Sequence, residues 1–247
     1  MACSPEGKRV KVTASRALTI NGLTPIKYGP KEALGLLNGT APNAALGGLV
    51  LYDAVHLGFL THMTTAMAVE AETATDASFV PFIHEECRPH PGQIESAATL
   101  LDLLQGSHLA THLEYEGARL LATEDEGSMR QDRYPLRTAP QFLGPQLEDL
   151  QVAWQSLITE LNSTTDNPLI SVAESKVHHG GNFQAMSVTN AVEKTRLCLA
   201  HFGKLTFAQG TELINSSMNR GLPSNLASTN PSLNFHCKGE SVVSASP

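Results

Sequence analysis

Before Pro30 the apolar positions alternate, and after it they recur at helical spacing. Residues 8–20 carry a short alternating β-branched run that predicts a strand pair closed by the turn Asn21-Gly22. Pro30 then opens a short helix, with proline in its first turn, that ends near Leu37. Asn43 can cap a long helix running to about Thr73, with Val55, Phe59, Met63 and Met67 recurring along one face. The opposite face is also apolar, the mark of an interior helix, and Gly47, Gly48 and Gly58 offer points of close approach. A further helix is predicted over 91–105, entered at Pro91 and closed near Gly106, followed by an acidic connection over 106–130 that is helical at best in part. Leu147, Leu150, Trp154, Leu157 and Leu161 follow the 3-4-3-4 spacing of a bundle seam, which the run 162–168 breaks. The last helix runs from about Gln184 to Ile214 and carries Val188, Val192, Leu199 and Phe202. The pattern predicts a mainly α protein, a helical bundle with long inner helices. Residues 1–29 form an N-terminal extended segment, 30–240 the helical core and 241–247 a disordered tail.

Composition narrows the class. The chain has 247 residues, 41% of them apolar and only 17% charged, which excludes an extended, highly solvated protein. Seventeen basic residues against 24 acidic ones give a net charge of −7 and leave no basic patch for nucleic acid or anionic membranes. The longest apolar run, from Ala44, is broken by Asp53, far short of the roughly twenty residues of a membrane span. Four cysteines without a CxxC, and an N-terminus without an apolar signal core, point to a reduced, cytoplasmic protein. The sequons at Asn38, Asn162 and Asn215 are read as chance matches. The apolar faces predicted over 43–73 and 147–161 exceed what a monomer hides, so a homodimer or homotetramer is expected.

Four polar clusters sit at the breaks between helices. Leu37-Asn38-Gly39-Thr40-Ala41 offers an amide on a tight turn, or simply a capping Asn between two helices. Over 130–137, Gln131, Tyr134 and Arg137 stand among further arginines; guanidiniums beside a phenol can hold a carboxylate and place a proton donor near it. The alternative there is a surface salt-bridge network around Asp132. Asn167 precedes Pro168 at a helix end. Gly180 and Gly181 lead into Asn182, Phe183 and Gln184, where exposed N–H groups could meet an anion, or merely begin a helix. His84, Cys87 and His90 have metal-like spacing, but their proline-rich context would have to bend the chain around the ion, and His108 and His112 read as an exposed pair in an acidic loop, so no metal is expected. No GxSxG, P-loop or GxGxxG is present.

Taken in order, LNGTA, RQDRYPLRTAPQ, NSTTDNPL and GGNFQAMSVTNAVEKTR closely resemble the aromatic amino-acid lyase family, with the fungal phenylalanine ammonia-lyases nearest. The resemblance covers about residues 8–240. It implies the helical core of the phenylalanine/histidine ammonia-lyase superfamily, homotetrameric assembly, and ammonia elimination by a methylidene-imidazolone formed from an internal Ala-Ser-Gly. By motif, Asn38 matches the asparagine that supports this electrophile, Tyr134 an active-site tyrosine and Arg137 the arginine that binds the substrate carboxylate. Gln131, Asn167, Phe183 and Gln184 match residues lining the same pocket.

The departures shape the functional expectation. The family's Ala-Ser-Gly lies before the LNGTA segment, yet Ser-Gly occurs nowhere here and Ala14-Ser15 is followed by Arg16. The family's later glutamate and Asn-Gln motif are also missing, and Pro42 follows LNGTA where a non-proline is usual. A lyase scaffold without its electrophile is therefore expected, with no cofactor and with cofactor-free isomerase, cyclase or pericyclic chemistry on a small molecule. The alternatives are a non-catalytic binding or regulatory partner of a full-length lyase, or an inactive fragment of one.

Overall fold

The computed structural model describes residues 2–3, 9–112, 131–228, 230, 233 and 236–239, and these fall into two compact units. The predicted acidic connection beyond residue 112 and the tail 241–247 lie outside the described residues.

One unit comprises residues 1–40 and 165–184. Strands β1 (Ala2–Cys3) and β2 (Arg9–Val10) pair antiparallel. The strand reading ends there, because α1 (Ala14–Ile20) is helical, its N-terminus capped by the Thr13 hydroxyl accepting from the Arg16 N–H. The cap captures a free helical donor, and Ala, Arg and Leu in the run favour the helix that the β-branched positions argued against. Helix α2 (Glu32–Asn38) follows as expected, entered through Lys31 in the left-handed region.

The other unit comprises residues 41–164 and 185–247. Helix α3 (Ala41–Ala71) is succeeded by a 3₁₀ turn (Asp76–Phe79), a π-helical turn (Phe82–Glu86) and α4 (Pro91–Leu104). A single helical turn, α5 (Tyr134–Arg137), leads into α6 (Ala139–Leu161), which starts eight residues before the predicted seam and carries Pro145 within it. In the first unit, β3 (Leu169–Ser171) and β4 (Lys176–His178) form an antiparallel hairpin that the residue pattern did not announce. Back in the second unit, α7 (Met186–Ile214) completes the bundle. The mainly α reading holds.

The second unit's core lies between α3, α4, α6 and α7, around Leu51, Leu100, Leu143, Leu157 and Phe202. Helix α3 corrects the sequence reading of its faces. Val55, Phe59, Met63 and Met67 are exposed at 42%, 57%, 40% and 64%. The buried face is instead the one with Ala44, Gly47, Leu51, Ala54 and Gly58. Small residues let backbones approach: a Cβ on Gly47 would touch Leu157, Val192 and Val188 within 3.6 Å. Close approach thus outweighs side-chain size in choosing the inward face. The sequence reading ended the apolar run at Asp53, but α3 is by length and composition apolar enough to cross a membrane, and 33% of its most apolar window is buried. Of the predicted seam in α6, Leu150 and Leu157 are buried while Trp154 and Leu161 are 40% and 50% exposed.

The tightest contact joins α4 to α6. A Cβ on Gly92 would lie 2.2 Å from the Gly144 carbonyl oxygen, and one on Gly144 would lie 2.5 Å from the Gln93 nitrogen. Only glycine fits at this crossing. It seats Gln93, whose Nε2 donates to His84 Nδ1 (2.7 Å), while His84 Nε2 donates to the Ser78 carbonyl (2.8 Å). His84 is therefore a buried, neutral link between α4 and the turn at Ser78, and burial lowers its pKa. His62 plays the same part between α3 and α4, donating from Nδ1 to the Gly58 carbonyl and accepting at Nε2 from Ser96, both at 2.8 Å. Among the described residues, no group of three or more His, Cys, Asp or Glu could hold a metal ion.

Candidate functional site

The cluster at 131–138 is held from beneath by ion pairs. Asp132, 4% exposed, accepts from the Thr75 N–H at 2.7 Å and pairs with Arg220, which also donates to the Thr73 carbonyl at 2.8 Å. Arg133 donates to Glu212 Oε1 and to the Met218 carbonyl, each at 2.8 Å. Gln209 Nε2 donates to the Pro135 carbonyl at 3.0 Å. The salt-bridge reading of this motif therefore applies to Asp132 and Arg133, whose charges are matched inward.

Arg137 is treated differently. Its Nε donates to the Asp132 carbonyl at 2.8 Å, and its guanidinium carbon sits 4.6 Å from the centroid of the Tyr134 ring. One bond and one stacked ring fix the plane of the guanidinium, while its two Nη groups make no hydrogen bond among the described residues. Tyr134 is 69% exposed. Pro135 in the first turn, and Thr138 Oγ1 donating to the Tyr134 carbonyl at 2.8 Å, hold this turn of helix.

Arg137, Gln131 and Thr138 line an open cleft of about 340 Å³ together with Thr75, Ser78 and Gln141. Gln141 sits in the first turn of α6, and its Oε1 is buried without a hydrogen-bond partner. An orphaned acceptor beside a presented cation is a polar pair suited to a ligand that carries both anionic oxygens and a donor. Sequence reasoning missed Gln141, which the start of α6 brings to the cleft. It also missed Arg220 and Glu212, which only the fold brings to Asp132 and Arg133.

The other expected residues belong to the first unit. Asn38 is the exposed last residue of α2. Lys31 Nζ donates to Asp166 Oδ2 (2.6 Å) and to the Pro168 carbonyl (2.8 Å), tying the start of α2 to the loop at 166–168. This bond holds the Asp166 carboxyl below its usual range. Asp166 Oδ1 accepts from the Asn167 N–H, and Asn167 Oδ1 accepts from the Gly180 N–H at 3.2 Å across the base of the β3–β4 hairpin. The Asn167–Pro168 peptide is cis. The hairpin thus brings Asn167 to the segment bearing Phe183, which is 52% exposed, and Gln184, whose side of the chain is also exposed. Gln131, Tyr134 and Arg137 form one group within the second unit; Asn167, Phe183 and Gln184 form another within the first.

A sequence profile described as aromatic amino acid lyase matches residues 3–246. The chain belongs to that family. It is 60% identical over 243 residues to a phenylalanine ammonia-lyase of Mycosarcoma maydis, covering 97% of this chain and 33% of that protein. Phenylalanine ammonia-lyase 2 of Pleurotus ostreatus is 55% identical over 239 residues, 97% of this chain and 32% of that protein. Among solved structures, the phenylalanine ammonia lyase from Rhodosporidium toruloides matches with a TM-score of 0.80 and 50% identity, over 95% of this chain and 34% of that one. The tyrosine aminomutase from Streptomyces globisporus matches with a TM-score of 0.82 at 30% identity, over 97% of this chain and 46% of that one. The chain spans about a third of the length of the curated relatives it matches.

The family's methylidene-imidazolone needs Ala-Ser-Gly. The 247 residues contain no Ser-Gly, and Ala14-Ser15-Arg16 opens the regular helix α1, where the Ser15 carbonyl accepts from Thr19 Oγ1 at 3.0 Å. These residues do not fit formation of that group.

Proposed function

We propose that the chain carries the carboxylate-recognising part of an aromatic amino-acid lyase pocket, and that Arg137 is the group that takes the substrate's carboxylate. The observation behind this is the guanidinium fixed by the Asp132 carbonyl and the Tyr134 ring, with both Nη groups left for a bidentate partner. A carboxylate on Nη1 and Nη2 would make two parallel charge-assisted bonds. Gln141 would accept from an amino or hydroxyl group of the same ligand, and Gln131 would line the cleft. Asn38, Asn167, Phe183 and Gln184 are assigned to the pocket by motif, with Phe183 supplying apolar surface to an aromatic ring. Tyr134, at the start of an ordered turn, is the hydroxyl available to move a proton.

On its own residues the chain is limited to cofactor-free chemistry. A guanidinium and a phenol can polarise a carbonyl and shift a proton, which suits an isomerisation or cyclisation of a small molecule. The protein is taken to be soluble and cytoplasmic. The second reading, a binding partner or inactive fragment of a full-length lyase, is favoured by the exposed apolar face of α3 and by the one-third coverage of its relatives.

The test is calorimetric titration of the chain with cinnamate and with phenylalanine, alongside Arg137→Ala and Tyr134→Phe. Losing one charge-assisted bidentate pair should weaken carboxylate binding by about 1.5–3 kcal/mol, roughly ten- to a hundredfold, in Arg137→Ala. Tyr134→Phe should bind nearly normally. Equal affinity in wild type and Arg137→Ala would refute the assignment. Cinnamate released from phenylalanine by the purified chain would overturn the limit to cofactor-free chemistry.

A further inference from the structure

Two carboxyl groups lie where nothing in the proposed chemistry uses them. Glu72, the first residue past α3, is 2% exposed, and Glu212, in the last turn of α7, is 1% exposed. Glu212 Oε1 is satisfied by Arg133. Its Oε2 and the Oε2 of Glu72 are both buried with no donor. The two carboxyl groups lie close enough to act on each other, and two buried carboxylates can share such a site only with a proton between them.

We propose that Glu72 and Glu212 share one proton and so form a pH-dependent clamp that positions Arg133 at the start of the Tyr134–Arg137 turn. A proton on Glu72 donated to Glu212 supplies the donor that the buried pair lacks and leaves a single negative charge, which Arg133 neutralises. Glu212 then holds Arg133 from α7, while Glu72 holds Glu212 from the end of α3. The turn bearing Tyr134 and Arg137 is thereby pinned to two long helices.

The charges around the pair are Arg133 from the α5 side and Arg220 from the chain after α7. Arg220 is committed to Asp132 and the Thr73 carbonyl. Burial is the largest effect on Glu72, followed by the charge of Glu212 and their hydrogen bond; together they push its pKa up to about 8, against the opposing pull of Arg220 and Arg133. The folded chain therefore keeps a proton that the unfolded chain loses near 4.5. Between these values folding weakens as pH rises, by up to about tenfold in the folded-to-unfolded ratio per pH unit, and the slope ends above the folded value, where the clamp opens. Glu72 and Glu212 are positioning residues in this scheme.

The experiment uses the full 247-residue chain. Carbon-13 labelling of glutamate carboxyls, followed by NMR from about pH 5 to about pH 9.5, should show one carboxyl that stays protonated past neutrality. That resonance should vanish in Glu72→Gln, whose amide can still donate to Glu212. Urea unfolding across the same range should lose stability with rising pH in the wild type, and the difference between wild type and Glu72→Gln should carry the one-proton slope. Backbone amide shifts of Arg133, Tyr134, Leu136 and Arg137 should move with the titration in the wild type and stay still in the variant. If every glutamate in the native chain titrates below about pH 6, the clamp is refuted. An unchanged pH slope in Glu72→Gln refutes it equally, and should that variant fail to fold, the wild-type titration decides alone. Neither readout needs a substrate, so failure of the carboxylate reading leaves this test standing.

Discussion

Gly144→Ala and Gly203→Ala make the same chemical change on two long helices and should shift stability in opposite directions. At Gly203, on α7, an added Cβ meets nothing within 4 Å. The substitution there only lowers the entropy of the unfolded chain and should stabilise by about 0.5–1 kcal/mol. At Gly144 the Cβ would lie 2.5 Å from the Gln93 nitrogen and 2.6 Å from its Cα. Both are backbone atoms of α4 and cannot rotate away. Carbon contacts settle near 3.5–4.0 Å, so α4 and α6 must part by roughly 1 Å. Overpacking of that kind costs about 1–3 kcal/mol, offset by the same entropic gain of up to about 1, which leaves a net loss of about 1–2 kcal/mol. For a chain of this size that is a fall of roughly 2–8 °C in Tm. The parting also displaces Gln93, and through His84 the Ser78 carbonyl at the edge of the cleft. Thermal unfolding of both variants beside the wild type measures the effect. A Gly144→Ala variant as stable as Gly203→Ala would refute the close crossing of α4 and α6.

Other outcomes follow from the same contacts. Burial holds the pKa values of His62 and His84 below 6.5, so the folded state resists protonating them. Their contribution to stability is complete above 6.5 and is lost as pH falls through the lowered folded values; proton NMR should find both rings neutral just below pH 6.5, and rings already charged there would contradict the buried links. The large apolar side chains on the outer face of α3 should drive self-association to a dimer or tetramer, read by light scattering after size exclusion. Phe59→Ser combined with Met63→Ser should shift the chain towards monomer, and an unchanged mass would remove α3 from the interface.

The helices were legible because their signals are local. Pro91 at the first position of α4, the break after Leu161 and the apolar period of α7 each act within a turn or two of the chain. The resemblance carried by four short motifs also lies in the sequence itself, and the family assignment rests on it. The ordering of faces on α3 was not legible, because both faces are apolar and the choice depends on which can reach Leu157, Val188 and Phe202. The three roles within Asp132, Arg133 and Arg137 were equally hidden, since each is set by a partner about 60 to 90 residues away or by its absence.

The sequence by itself determined the helices α3, α4 and α7 with their ends, the absence of Ser-Gly and the family to which the chain belongs, because each is written in neighbouring residues. Only the tertiary structure decided which arginine is spent inward and which is presented to the cleft. It also decided that Glu72 and Glu212, 140 residues apart, are both buried. The physical reason is that helix formation is governed by local periodicity, whereas the charge state and free valence of a side chain depend on desolvation and partners that exist only once distant segments pack together.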